Sequence, residues 1–171
     1  DIVKLPQIDW GEVEDITLRH TVIRTFQYQR YVIPNSNISA DNILNASIGD
    51  PKIREWLEMG ISYDSDLDLA MKIMQEEAEK HPNLLDNRTQ EEIQNAVPKV
   101  PVRLTGFGDS SVNLRAYIWA NDFMSGFIMK TDLYKAVKKR FDAEGIEIPF
   151  PYRTIVYKDA KTKPAQPSAK S

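Results

Sequence analysis

From Ile16 to Phe26 the side chains alternate in character, and β-branched residues dominate the run. Alternation with a period of two is the mark of a half-buried strand, because successive side chains leave opposite faces of a sheet. The pattern predicts a strand with Ile16, Leu18, Val22 and Phe26 on one face beside His20 and Arg24. Thr17, Arg19, Thr21 and Thr25 fall on the other with Ile23. A second run, Tyr31-Val32-Ile33, stops at Pro34-Asn35, where proline removes a ladder donor and asparagine favours a turn. Ile2, Val3 and Leu5 predict a short first strand, and Asp9-Trp10-Gly11 reads as a turn. Several short strands within residues 1–48 are expected to form a small, strongly curved, barrel-like sheet.

Gly49-Asp50-Pro51 is the natural boundary before a second unit, expected over 49–151. There Ile53, Leu57, Met59, Ile61 and Tyr63 share a strand face, with Glu55 as the exception. Ser65-x-x-Asp68 reads as a capping box before a helix carrying Leu67, Ala70, Met71, Met74 and Ala78 at helical spacing, ended by His81-Pro82. Thr89-x-x-Glu92 predicts a short additional helix through Ala96. Val100, Val102 and Leu104 alternate, then Gly106-Phe107-Gly108-Asp109 turns the chain into Val112, Leu114, Ala116 and Ile118, an antiparallel hairpin. A long helix follows from Phe123 to Ala143, with Phe127, Tyr134, Val137 and Phe141 on its apolar stripe and Gly145 at its end. Ile146 to Ile148 completes the order β-α-β-β-α-β, the ferredoxin-like pattern.

Pro149 and Pro151 then lead away to Thr154-Ile155-Val156-Tyr157, a β-prone segment (152–158) with nothing left in the chain to pair with. An isolated strand needs a partner. Residues 159–171, rich in Lys, Ala, Pro, Ser, Thr and Gln, read as a disordered tail.

The composition excludes several kinds of chemistry. The 171-residue chain has a formal charge of -3, whereas nucleic-acid binding calls for a basic face. RNA recognition on such folds would further require exposed aromatics on a basic sheet face. With no cysteine there is no disulfide, thiolate metal site or thiol nucleophile. His20 and His81 are the only histidines, a poor zinc set and a poor general base for the Gly108-Asp109-Ser110-Ser111 block, which is better read as a turn than as a hydrolase nucleophile. Asp64-x-Asp66-x-Asp68 is not a calcium loop, since Leu69 and Gln75 stand where glycine and glutamate are required. Gly106-x-Gly108 lacks the third glycine of a dinucleotide fingerprint. No cofactor is implied. No apolar run approaches the roughly 20 residues that span a bilayer.

An ordered set of matches narrows the reading. Gly11-x-Val13-x-x-Ile16, Arg19-x-Thr21-x-Ile23-Arg24, Ile33-Pro34-Asn35-Ser36, Asn42-Ile43-Leu44-Asn45, Tyr63-Asp64-Ser65-Asp66-Leu67-Asp68, Gly145-Ile146 and Ile148-Pro149-Phe150-Pro151 together resemble the cytoplasmic part of small-conductance mechanosensitive channels. The resemblance implies an α+β chain: a Sm-like β-barrel domain (1–48), a ferredoxin-like domain (49–151) and a C-terminal oligomerisation strand. Relative to that family, 83–98 reads as an insertion, and the link Gln27-Tyr28-Gln29-Arg30 lacks the usual turn residues.

In function, it implies a non-enzymatic, homoheptameric cage beneath pore helices that this chain does not contain, on the cytoplasmic side of the cell membrane. Such a cage filters ions and small osmolytes through lateral portals, for which the inter-domain link Ile48 to Trp56 is the place to look. Gly11, Arg19, Arg24, Pro34, Asn35, Asn42 and Asn45 become structural candidates, and Thr154, Ile155, Val156 and Tyr157 assembly candidates. The alternative is a soluble two-domain binding or scaffold protein, since both folds host many functions.

Overall fold

The computed structural model describes residues 1–151; Thr154, Ile155, Val156 and Tyr157 lie outside the described residues. Two antiparallel sheets follow one another along the chain, each with its own core. The first contains β1 (Ile2–Leu5), β2 (Ile8–Ile16), β3 (His20–Thr25), β4 (Arg30–Pro34) and β5 (Leu44–Asn45), in spatial order β4-β3-β2-β1-β5. This is a meander whose fifth strand returns beside the first. A short helix, α1 (Asn35–Ala40), starts directly from Pro34, whose fixed φ suits a helix entry. Val3, Leu5, Ile8 and Ile23 form the core, with Val13, Ile33 and Ile38 packed against it.

Here the structure corrects the opening strand. Ile16 to Phe26 is not one strand but the end of β2, a turn over Thr17-Leu18-Arg19, and β3. The turn needs no glycine because Thr17 makes it: its hydroxyl accepts from the Arg19 and His20 amides (3.3 and 3.0 Å) and donates to the His20 carbonyl (2.8 Å). The buried face is also the opposite one. Thr21 and Ile23 point inward, whereas Ile16, Leu18 and Phe26 stay 69, 100 and 44% exposed. Asp9-Trp10-Gly11 is not a turn but part of β2; the chain turns at Pro6-Gln7 instead. Gln27 to Gln29 does close a hairpin, with Tyr28 at φ 64° in the left-handed region that glycine or asparagine usually occupies.

The second sheet contains β6 (Ile53–Ile61), β7 (Val102–Phe107) and β8 (Val112–Ala120) in order β6-β8-β7. Helices α2 (Leu67–Glu79) and α4 (Phe123–Glu144) cover one face. Leu57, Ile61, Ile73, Met74, Leu114, Ile118, Met129, Leu133, Val137 and Phe141 are buried between them. Asp66, rather than Ser65, caps α2, accepting from the Leu69 amide at 3.0 Å. The apolar stripe of α4 is Met129, Leu133, Val137 and Phe141; Phe127 and Tyr134 face outward instead (55 and 38% exposed). Gly145 ends α4 at φ 75°.

Ile146 to Ile148 is not a regular strand. The Ser62 amide donates to the Glu147 carbonyl (2.8 Å) and the Glu147 amide donates to Ser65 Oγ (3.0 Å), while Ile146 is buried in the core. The segment thus occupies the fourth-strand place beside β6 with too few ladder bonds to count as one. The short α3 (Gln90–Gln94) does carry the expected capping box, Thr89 with Glu92.

Candidate functional site

Three surfaces hold the side-chain chemistry of this chain. The first is the polar end of the five-stranded sheet, where several residues singled out from the sequence meet. Asn35 Oδ1 accepts from the Thr21 hydroxyl at 2.9 Å, and its Nδ2 donates to the Thr17 carbonyl at 2.9 Å. Its backbone amide donates to the Arg19 carbonyl (3.0 Å), so one asparagine ties the β2–β3 turn to the end of β4. Pro34, paired with His20, delivers Asn35 to that position. The Arg19 side chain is exposed and makes no ion pair among the described residues.

Arg24 pairs with Glu12 at 2.5 Å, lies 4.0 Å from Glu14 and stacks over the Tyr28 ring at 5.4 Å. Gly11 is there for closeness: a Cβ on it would stand 2.7 Å from Ile23 Cγ2 and 3.0 Å from the Arg24 carbonyl. Asn45 lies elsewhere, its Oδ1 accepting from the Ser47 and Ile48 amides (2.9 and 3.0 Å) to shape the start of the stretch between the two sheets. Asn42 is an exposed residue outside these networks.

The second surface joins the two sheets. Phe123, at the start of α4, tilts against Trp10 of β2 (centroids 4.7 Å) and stacks on Phe26 (5.7 Å). Asp9, Met124 and Phe127 complete the walls of an apolar cleft of about 210 Å³. Asp122 anchors this helix start by accepting from the Ser125 amide and hydroxyl (2.8 and 2.7 Å), which lowers its pKa, the amide bond first.

The third is the sheet face opposite α2 and α4. Strand alternation that buries Leu57, Met59, Leu114, Ala116 and Ile118 must turn Arg54, Trp56, Glu58, Arg115, Tyr117 and Trp119 the other way. These side chains interleave. Arg115 lies over the Trp56 ring at 4.1 Å and donates to Glu58 at 2.8 Å, which raises its pKa. Arg54 lies over both Tyr117 and Trp119, at 5.4 and 5.6 Å.

The 83–98 segment borders this face. The Leu85 amide donates to the Trp119 carbonyl (2.9 Å), continuing the row that β7 begins, and Arg88 donates to the Val97 carbonyl (2.9 Å). Hydrogen bonds from Arg88 hold the Asp86 carboxyl down to about 2. Sequence reasoning missed this whole face. Its signal was present in the odd-numbered aromatics and arginines between Arg115 and Trp119, read only for the inward half of the alternation.

A two-sheet α+β module of this kind is defined by its surfaces: among the described residues, no group of His, Cys, Asp or Glu is placed to hold a metal ion. The family model for the β-domain of mechanosensitive ion channels matches residues 1–48, and that for the C-terminal part of the MscS channel matches 57–148. The chain belongs to the MscS family of small-conductance mechanosensitive channels. It is 33% identical over 145 residues to an uncharacterized MscS family protein of Archaeoglobus fulgidus, covering 85% of this chain and 47% of that protein. It is 29% identical over 159 residues to the small-conductance mechanosensitive channel of Helicobacter pylori, covering 93% and 54%.

The crystal structure of Helicobacter pylori MscS in its closed state superposes with a TM-score of 0.77 at 27% identity, covering 94% of this chain and 58% of that one. The chain thus spans about half the length of the curated relatives it matches. None of the described helices is long and apolar enough to cross a membrane.

Proposed function

We propose that this chain is the cytoplasmic cage of a tension-gated ion channel. Copies associate as a homoheptamer on the cytoplasmic side of the cell membrane, below pore helices of the complete protein. Openings between neighbouring copies pass ions and small osmolytes during osmotic downshock and filter them by size and wall charge, as any lined aqueous path does. The observation that carries this reading is the pair of family matches, in channel order, over residues 1–48 and 57–148.

The surface chemistry supports it. Ile16, Leu18 and Val32 are 69, 100 and 62% exposed around the β2–β3–β4 end of the first sheet, and β4 leaves one ladder edge unused among the described residues. Exposed apolar side chains beside an open edge are what a neighbouring subunit covers. Gly11, Arg24, Pro34 and Asn35 keep that end in shape, and Arg19, without an ion pair among the described residues, can reach a neighbour. Asn45 sets the exit of the link that borders the openings, with Asn42 beside it. Thr154 to Tyr157 is the segment proposed to close the assembly below.

The test is electrical. The complete gene product carrying this chain, reconstituted in liposomes, is expected to give single-channel currents whose open probability climbs with applied suction. Patches that contain the protein and stay silent up to the lytic tension would overturn the reading.

A further inference from the structure

The segment read from the sequence as an insertion encloses one side of a cleft of about 290 Å³ on the uncovered sheet face. Its walls bring together Arg54, Arg88, Lys99 and Arg103, with Glu92 as the single carboxylate among the described residues, in a chain whose overall charge is -3. Glu92 is already used: it accepts from the Thr89 amide and hydroxyl at 2.7 and 3.0 Å, and the amide bond leads in lowering its pKa. Arg88 is held by Asp86. Arg54 is packed between charge-free partners, over the Tyr117 and Trp119 rings, so its planar fork is oriented without a carboxylate among the described residues. Arg103 has no ion pair among the described residues and sits directly across from Arg115 in the β7–β8 ladder. Like charges facing each other across strands are destabilising, and only Arg115 has its own acid, Glu58.

We propose that this cleft binds a small organic oxyanion. Arg54 and Arg103 grip a carboxylate or phosphate, and Tyr117 and Trp119 pack against the ligand's body. A ring-stacked guanidinium presents two parallel N–H donors that match either oxyanion, with little side-chain freedom left to lose on binding. Lys99 adds a mobile point charge at the same wall. The proposal stands independently of whether the chain forms a channel cage.

Calorimetric titration of the 171-residue chain at constant ionic strength distinguishes the two headgroups, using potassium glutamate as the carboxylate probe and inorganic pyrophosphate as the phosphate probe. Potassium chloride is the control. Saturable heat with either probe, absent with chloride, is expected, and the tighter probe names the headgroup. Arg54→Gln should weaken it at least tenfold. Arg103→Gln should do the same, and because that side chain makes no ion pair among the described residues, its loss leaves folding intact. Arg115→Gln, on the same face but outside the cleft wall, should stay within twofold. Heat that is not saturable, that chloride reproduces, or that survives Arg103→Gln unchanged would overturn the proposal.

Discussion

Asn35 shows how much one side chain can organise. It satisfies the hydroxyl of buried Thr21 and the carbonyl of Thr17 at once, joining residues 14 and 18 positions earlier in the chain. Asn35→Ala leaves both groups without their partner in a place water reaches poorly, which costs about 1–3 kcal/mol for an unsatisfied buried group. Thr21→Val removes the hydroxyl instead. The double substitution should therefore be less destabilised than the sum of the two singles, read from urea midpoints at constant slope.

Residue-scale legibility was uneven for reasons visible in particular side chains. The Pro34-Asn35 stop could be read because proline and asparagine act locally. The Thr17 turn could not, because threonine at that spacing is equally a strand residue. Tyr28, at φ 64°, carries no sequence mark of the conformation it adopts.

Between elements, two side-chain contacts add to what the buried cores hold together. Phe123 is the hinge of the apolar junction between the first sheet and α4, through Trp10 and Phe26. A double-mutant cycle on Trp10→Ala and Phe123→Ala should give a coupling of about 0.5–1.5 kcal/mol, the usual worth of an aromatic pair beyond its buried area. A coupling of zero would mean that the Trp10–Phe123 contact adds nothing to the junction, leaving the Phe26–Phe123 stack to carry it.

Above the buried core of the helix layer, Arg140 reaches from α4 to Glu76 (2.6 Å) and Glu77 (3.0 Å) of α2 while pairing with Glu144 (2.7 Å) in its own helix. Glu76 is held below its usual pKa chiefly by its hydrogen bond to Arg140. For Glu77 the bond to Lys80 leads and Arg140 adds to it. A carboxylate whose folded pKa is depressed stabilises the fold above its unfolded value and loses that contribution as the pH falls through the folded one. Arg140→Gln should therefore lower stability at neutral pH and flatten the fall in stability on the acid side of the ordinary glutamate range. Unfolding midpoints measured from pH 7 to pH 3 check this.

Element types were legible wherever periodicity ran long, as in α2 and β8. Which face went inside was legible in β8, where Val112, Leu114, Ala116 and Ile118 are buried, but not everywhere. From Ile16 to Phe26, and along α4, large apolar groups lie on both sides: Ile16, Leu18 and Phe26 outside against Ile23 inside, and Phe127 and Tyr134 outside against Leu133 and Val137 inside. Alternation defines two faces and cannot by itself say which of two apolar ones meets this chain's own core.

That ambiguity has meaning at the scale of the whole molecule. Apolar side chains on an outer face, beside sheet edges left unused among the described residues, offer a surface to be covered, and in the proposed function other copies cover it. The family could be read from the ordered motifs, and the β-α-β-β-α-β order from periodicity. The cationic, aromatic sheet face could not, because it depends on bringing residues 54, 103, 117 and 119 together across three strands and beneath the 83–98 segment.

The absolute mass of the chain in solution, measured by light scattering with and without residues 152–171, tests the central claim most directly. The account predicts a particle of seven 19.6 kDa chains for the complete sequence and a smaller one after truncation. A particle that stays at the mass of one chain at every concentration, truncated or not, would contradict it.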